Sequence, residues 1–135
     1  METSIISISN LKGGTSKTTS AVNVSAALGL MGYKVLVVDC DPLMNLTTSL
    51  VREYNPERSL LRTLEQKLPL EQVVIPTTCE NVSIITGHQN LVAYAMLQEP
   101  LPHRYKLFAH LLNTDAIKEY RFVIFDNSIT RNCIL

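Results

Sequence analysis

Cysteine is scarce in this chain of 135 residues: Cys40, Cys79 and Cys133 are three, an odd number, with no C-x-x-C spacing. That leaves no disulfide framework to read and fits a reducing compartment. Charge of one sign is lacking too. Twelve basic and twelve acidic residues cancel, so no global field draws the chain to nucleic acid or to an anionic membrane. The opening Met1-Glu2-Thr3-Ser4 carries an acid where a secretory signal would carry basic residues. No apolar run approaches the ~20 residues of a membrane span. Internal repeats and low-complexity tracts do not occur, and His88, His103 and His110 are not grouped with cysteines or carboxylates at metal-ligand spacing. What is present, 46% hydrophobic and 18% charged residues, describes a globular, cytoplasmic chain whose residues 1–135 make at most one domain.

One stretch organises the rest. Ser4-Ile5-Ile6-Ser7-Ile8-Ser9 alternates and is rich in β-branched residues, which predicts a strand. Residues 18–31, rich in Ala, Val and Leu, predict a buried helix that ends near Gly32. Between them lies Asn10-Leu11-Lys12-Gly13-Gly14-Thr15-Ser16-Lys17-Thr18-Thr19. Strand, glycine turn and a helix with Lys-Thr at its mouth form the context of a phosphate-binding loop. Gly13 and Gly14 let backbone N–H groups face inward, and the helix N-terminus adds partial positive charge. Lys17 would reach the β and γ phosphates of a nucleotide, and the Thr18 hydroxyl would complete the shell of a magnesium ion. Against the pattern G-x-x-x-x-G-K-[ST], Leu11 and Ser16 stand where glycines are usual, and a second lysine, Lys12, precedes the glycine pair.

Downstream, Val35-Leu36-Val37-Val38 is a continuous apolar run of the kind covered on both faces in a parallel sheet. It ends in Asp39-Cys40-Asp41-Pro42. Alone, that segment reads equally well as a polar strand-to-loop cap. Beside the lysine loop it places two carboxylates at the carboxyl end of a strand, where open α/β sheets bind ligands. Residues 45–51 and 59–67 predict two short helices, the second capped by Ser59 and presenting Leu60, Leu61, Leu64 and Leu68 on one face. Residues 71–76 are ambiguous between helix and extended chain. Residues 81–87 predict a strand, residues 90–98 a helix, and residues 103–118 a long helix with a possible interruption around Asn113-Thr114-Asp115. Tyr120-Arg121-Phe122-Val123-Ile124-Phe125-Asp126 predicts a last buried strand ending in an acid. Four apolar strands alternating with helices give an α/β fold with a doubly wound, mostly parallel sheet.

The arrangement K-G-G-x-x-K-T resembles the deviant Walker A loop of the ParA/MinD family of P-loop ATPases, and the resemblance extends from Ile5 to Asp126. It implies ATP and Mg2+ as ligands, held by residues 12–19: Lys12, Gly13, Gly14, Thr15, Ser16, Lys17, Thr18 and Thr19. Ser16 in place of glycine is expected to weaken that binding without abolishing it. Lys17 would act in cis, while Lys12 would reach the nucleotide of a partner across an ATP-sandwiched homodimer. The family's D-x-D-P-Q-G-N segment corresponds to residues 39–45, with Leu43 and Met44 replacing Gln and Gly. By the same resemblance Thr18, Asp39 and Asp126 serve the metal, and Asp41 joins Lys12 in catalysis by orienting the attacking water. Asp126 would end the Walker B strand, although Asn127-Ser128-Ile129 follows it where the family has a small residue and two prolines. Family members are roughly twice this long, so the sheet is expected to be truncated after the Walker B strand. The function implied is a Mg-ATP-dependent, dimerising ATPase of plasmid or chromosome partitioning. Its partners would be a centromere-binding, ParB-like protein and nonspecific DNA, with no role for a membrane. The alternative is a truncated, non-catalytic paralogue or remnant that binds nucleotide weakly or acts as a regulatory partner.

Overall fold

Five strands make one sheet in a computed structural model that describes residues 2–9, 16–91, 93–94 and 109–127. They are β1 (Ser4–Ile8), β2 (Val35–Asp39), β3 (Val74–Pro76), β4 (Val82–Ile85) and β5 (Phe122–Asp126), in the spatial order β1-β5-β2-β4-β3. All neighbours run parallel except β3, which pairs antiparallel with β4. The chain runs outward from β1 to β2 and β4, then returns to lay β5 between β1 and β2. That reversal opens the crevice at the carboxyl ends where α/β folds bind ligands.

The central strand β2 is buried along its whole length, as its apolar run predicts. Alternate residues feed opposite faces. Val35 and Val37 join Ile84 and Ile124 beneath α1 (Ser16–Leu30) and α2 (Asn45–Leu50). Leu36, Val38, Val123 and Phe125 face α3 (Leu60–Leu64), Leu91, Leu111 and Ile117 on the other side. The sheet is therefore covered on both faces, as a doubly wound fold requires. Among the described residues no helix is long and apolar enough to cross a membrane.

The helix α1 approaches the sheet through Lys17, Ala21, Ser25 and Gly29, all buried and spaced four apart. Gly29 is obligatory there, because a Cβ on it would stand 2.1 Å from the Glu80 carbonyl oxygen. Gly32, at φ +93°, then turns the chain out of the helix.

Several boundaries differ from the sequence expectation. Residues 71–76 divide into a 3-10 turn at Leu70–Gln72 and the edge strand β3, where Pro76 is tolerated because one side of an edge needs no donor. Ser59 occupies the N-cap position of α3, but its side chain makes no capping bond and its buried hydroxyl is without a partner. A capping side chain is found instead at Asn55, which accepts the Glu57 N–H ahead of Pro56. The long helix expected over residues 103–118 is helical at 109–112 and breaks at 113–116 before a 3-10 turn at Ile117–Glu119. There the Thr114 hydroxyl donates to the Leu111 carbonyl, the local competition by which such side chains end helices. Residues 103–108 of that segment, and most of the helix expected over 90–98, lie outside the described residues.

Candidate functional site

The parallel register sets the acids. Asp39 and Asp126 are direct neighbours across β2 and β5, and Ile8 at the end of β1 pairs with Asp126 on the other side. Both carboxylates thus leave the same edge of the sheet, beside the first turn of α1. Asp126 is fully buried. Its Oδ1 receives Lys17 Nζ at 2.5 Å, and its Oδ2 accepts the Thr18 hydroxyl at 3.0 Å. Lys17 also reaches Asp41 Oδ2 at 3.5 Å. One buried lysine therefore bridges two carboxylates at the N-terminal end of a 15-residue helix, a position that itself favours negative charge.

Asp41 begins the turn that leads into α2. Its Oδ1 accepts the Leu43 N–H at 2.9 Å, and its carbonyl accepts the Met44 N–H at 3.0 Å. Met44 is held in the left-handed region at φ 59°. Asp39 is engaged differently. Its Oδ1 accepts the Asp41 N–H, and its Oδ2 accepts both the N–H and the hydroxyl of Thr47. Burial is the dominant influence and pushes its carboxyl up to about 6, against the downward pull of the bonds from Thr47 and Asp41.

Of the residues singled out in the sequence, Lys17, Thr18, Asp41 and Asp126 come together. Asp39 sits beside them with its oxygens turned to Thr47 and to the backbone. Ser16 opens α1, and Thr19 in its first turn is exposed. Lys12, Gly13, Gly14 and Thr15 lie outside the described residues. Thr47 and Gly87 were not singled out, because a threonine inside a short apolar helix and a glycine after a strand carry no pattern of their own. Asn127 read as a break from the family motif, yet it is buried and ties β5 to β1. Its N–H donates to the Ile8 carbonyl and its amide group to the hydroxyls of Ser7 and Ser9.

The donor set suits a hard cation in one respect. Thr18 Oγ1 and Asp126 Oδ2 are oxygens 3.0 Å apart, as magnesium prefers. Among the described residues no three His, Cys, Asp or Glu side chains gather into a cage. Magnesium held by one or two protein oxygens plus substrate phosphates needs none.

The AAA domain family matches residues 3–135. The chain belongs to that family. Its relatives within it are ParA/MinD-type P-loop ATPases. It is 32% identical over 124 residues to the sporulation initiation inhibitor protein Soj of Bacillus subtilis, covering 90% of this chain and 48% of Soj. To the chromosome partitioning protein ParA of Caulobacter vibrioides it is 28% identical, over 90% of this chain and 46% of ParA. Among solved structures, cobyrinic acid a,c-diamide synthase of Mycobacterium smegmatis, with bound ATP analog and magnesium, superimposes with a TM-score of 0.79 at 29% identity. That match covers 96% of this chain and 52% of the synthase. The chain spans about half the length of these relatives.

Proposed function

We propose that this ParA/MinD-type chain binds Mg-ATP at the carboxyl edge of β2 and β5 and serves a dimerising ATPase of plasmid or chromosome partitioning in the cytoplasm. The observation that carries the reading is the convergence of Lys17, Thr18 and Asp126 at the mouth of α1. Lys17, now shared between Asp126 and Asp41, is the cation that the β and γ phosphates would take over. The Thr18 hydroxyl and Asp126, with Asp39 behind them, would hold the magnesium ion. That ion supplies charge neutralisation at the phosphates when it is bound. Asp41 would orient the attacking water. Residues 12–19 would cradle the nucleotide, with Lys12 crossing to the neighbouring subunit of an ATP-dependent homodimer.

The partitioning assignment draws on the likeness to Soj and ParA. With it come the proposed partners, a ParB-like centromere-binding protein and nonspecific DNA. A balanced formal charge of +0 means that DNA contact would depend on a local surface rather than on the overall field. A second reading, nucleotide binding without turnover, is favoured by one feature. The turn after Asp41 carries Leu43 and Met44, the latter in a left-handed conformation, where the ParA/MinD pattern has Gln and Gly. ATPase assays with and without DNA and a ParB-like protein separate the two. Stimulated turnover supports the partitioning ATPase, and binding without turnover supports the second reading.

A further inference from the structure

Thr47 belongs neither to the lysine loop nor to an acidic strand end, yet it joins three parts of the site. Its side chain is fully buried in α2. The hydroxyl donates to Asp39 Oδ2 at 2.7 Å and accepts the Gly87 N–H, from the chain just beyond β4, at 3.0 Å. The Thr47 N–H donates to the same Asp39 oxygen at 2.9 Å. The other Asp39 oxygen accepts the Asp41 N–H at 3.1 Å, and Asp41 Oδ1 in turn accepts the Leu43 N–H at 2.9 Å. A run of hydrogen bonds therefore leads from Gly87 through Thr47 and Asp39 to the backbone N–H of Asp41, the residue whose own carboxylate faces Lys17.

A hydroxyl that both donates and accepts in a dry interior has its rotor fixed, and it fixes the plane of the carboxylate it donates to. Gly87 closes the other side, since a Cβ there would stand 3.1 Å from Asp39 Cγ and 3.2 Å from its Oδ2. We infer that Thr47 is a positioning residue, whose hydroxyl locks Asp39 so that the Asp41 carboxylate is held toward Lys17. For its catalytic meaning this rests on the proposed nucleotide site, in which Asp41 orients water. The geometric part stands without it.

Thr47→Val keeps the shape and removes the hydroxyl, Thr47→Ser restores the hydroxyl, and Gly87→Ala pushes on Asp39 from the opposite side. In the full chain the Asp41 and Leu43 amides report the clasp directly, because each is donated to one of the two carboxylates. Hydrogen exchange at both amides should quicken about tenfold or more in Thr47→Val and in Gly87→Ala, while residues 36–38 of β2 stay protected. Thr47→Ser should exchange like the parent chain. With ATP, kcat should fall about tenfold in Thr47→Val while Mg-ATP affinity stays within about threefold. Unchanged Asp41 and Leu43 exchange in folded Thr47→Val, or in folded Gly87→Ala if the valine variant does not fold, overturns the role. So does a serine variant as perturbed as the valine one. Failure of the parent chain to bind Mg-ATP would instead defeat the nucleotide site and leave the exchange result to decide the clasp.

Discussion

Lys17 and Asp126 form a buried ion pair at 2.5 Å, across 109 residues of sequence, that fastens α1 to the end of β5. Such a pair is worth little against an apolar replacement, but removing one member strands the other's charge. Lys17→Ala should therefore cost about 3 kcal/mol or more in urea unfolding, because Asp126 is left with only the Thr18 hydroxyl of this constellation. Adding Asp126→Asn to Lys17→Ala should recover a large part of that loss. Equal destabilisation by the single and double variants would contradict the pairing.

Met44 holds a left-handed conformation that costs a side-chain-bearing residue about 1–2 kcal/mol. Met44→Gly should raise stability by about 1 kcal/mol, since glycine meets that backbone without the steric cost and is tolerated at an N-cap. A thermal melt reads the change. A lower melting temperature would mean that the Met44 side chain contributes more by packing than its backbone loses.

Asp39 makes the stability depend on pH in an unusual direction for a carboxylate. Its ordinary value is 3.8, and burial lifts it to about 6 in the folded chain. Below the ordinary value the group is protonated in both states. Between the two values the folded chain keeps a proton that the unfolded chain has released, so stability falls as pH rises, and above about 6 the loss is complete. A shift of that size corresponds to roughly 3 kcal/mol. Urea midpoints of the parent chain and Asp39→Asn, followed from pH 3.5 to 7, should diverge through this window, with the asparagine variant lacking the decline. Parallel profiles would show that Asp39 ionises as it does in the unfolded chain.

Lys12 is proposed to act on the nucleotide of a neighbouring subunit. Lys12→Ala should leave Mg-ATP affinity of the monomer within about threefold and abolish ATP-dependent dimerisation in sedimentation velocity. An ATP-dependent dimer that survives the substitution would remove Lys12 from the interface.

Most of the scaffold was legible because it rests on patterns that burial enforces. The run of residues 35–38 read as a central strand and the run ending at Asp126 as a buried one; both are buried, and the structure adds that the second lies inside the sheet, between β1 and β2. The Lys17-Thr18 step read as a helix mouth, and it lies in the first turn of α1. Less legible were features decided by tertiary contact. Whether Ser59 caps its helix depends on the surroundings of its hydroxyl, which is buried away from the N–H groups it would serve. The edge strand β3 is three residues long and is defined by its pairing with β4 rather than by any alternation. At the site, residue types announced the charges but not who satisfies them. Nothing in the sequence distinguishes Thr47 from Thr48, yet one is buried on Asp39 and the other is exposed and bonded to the backbone of its own helix. Asn127 shows the same limit, since it departs from the motif while securing the end of β1.

The most direct test of the account is calorimetric titration of the full chain with Mg-ATP, with Lys17→Ala as the control. The predicted result is saturable, magnesium-dependent binding in the micromolar range that the substitution weakens at least about a hundredfold, because it removes the buried cation proposed to meet the phosphates. Absence of binding by the parent chain, or binding that survives Lys17→Ala undiminished, would contradict the nucleotide site at the mouth of α1.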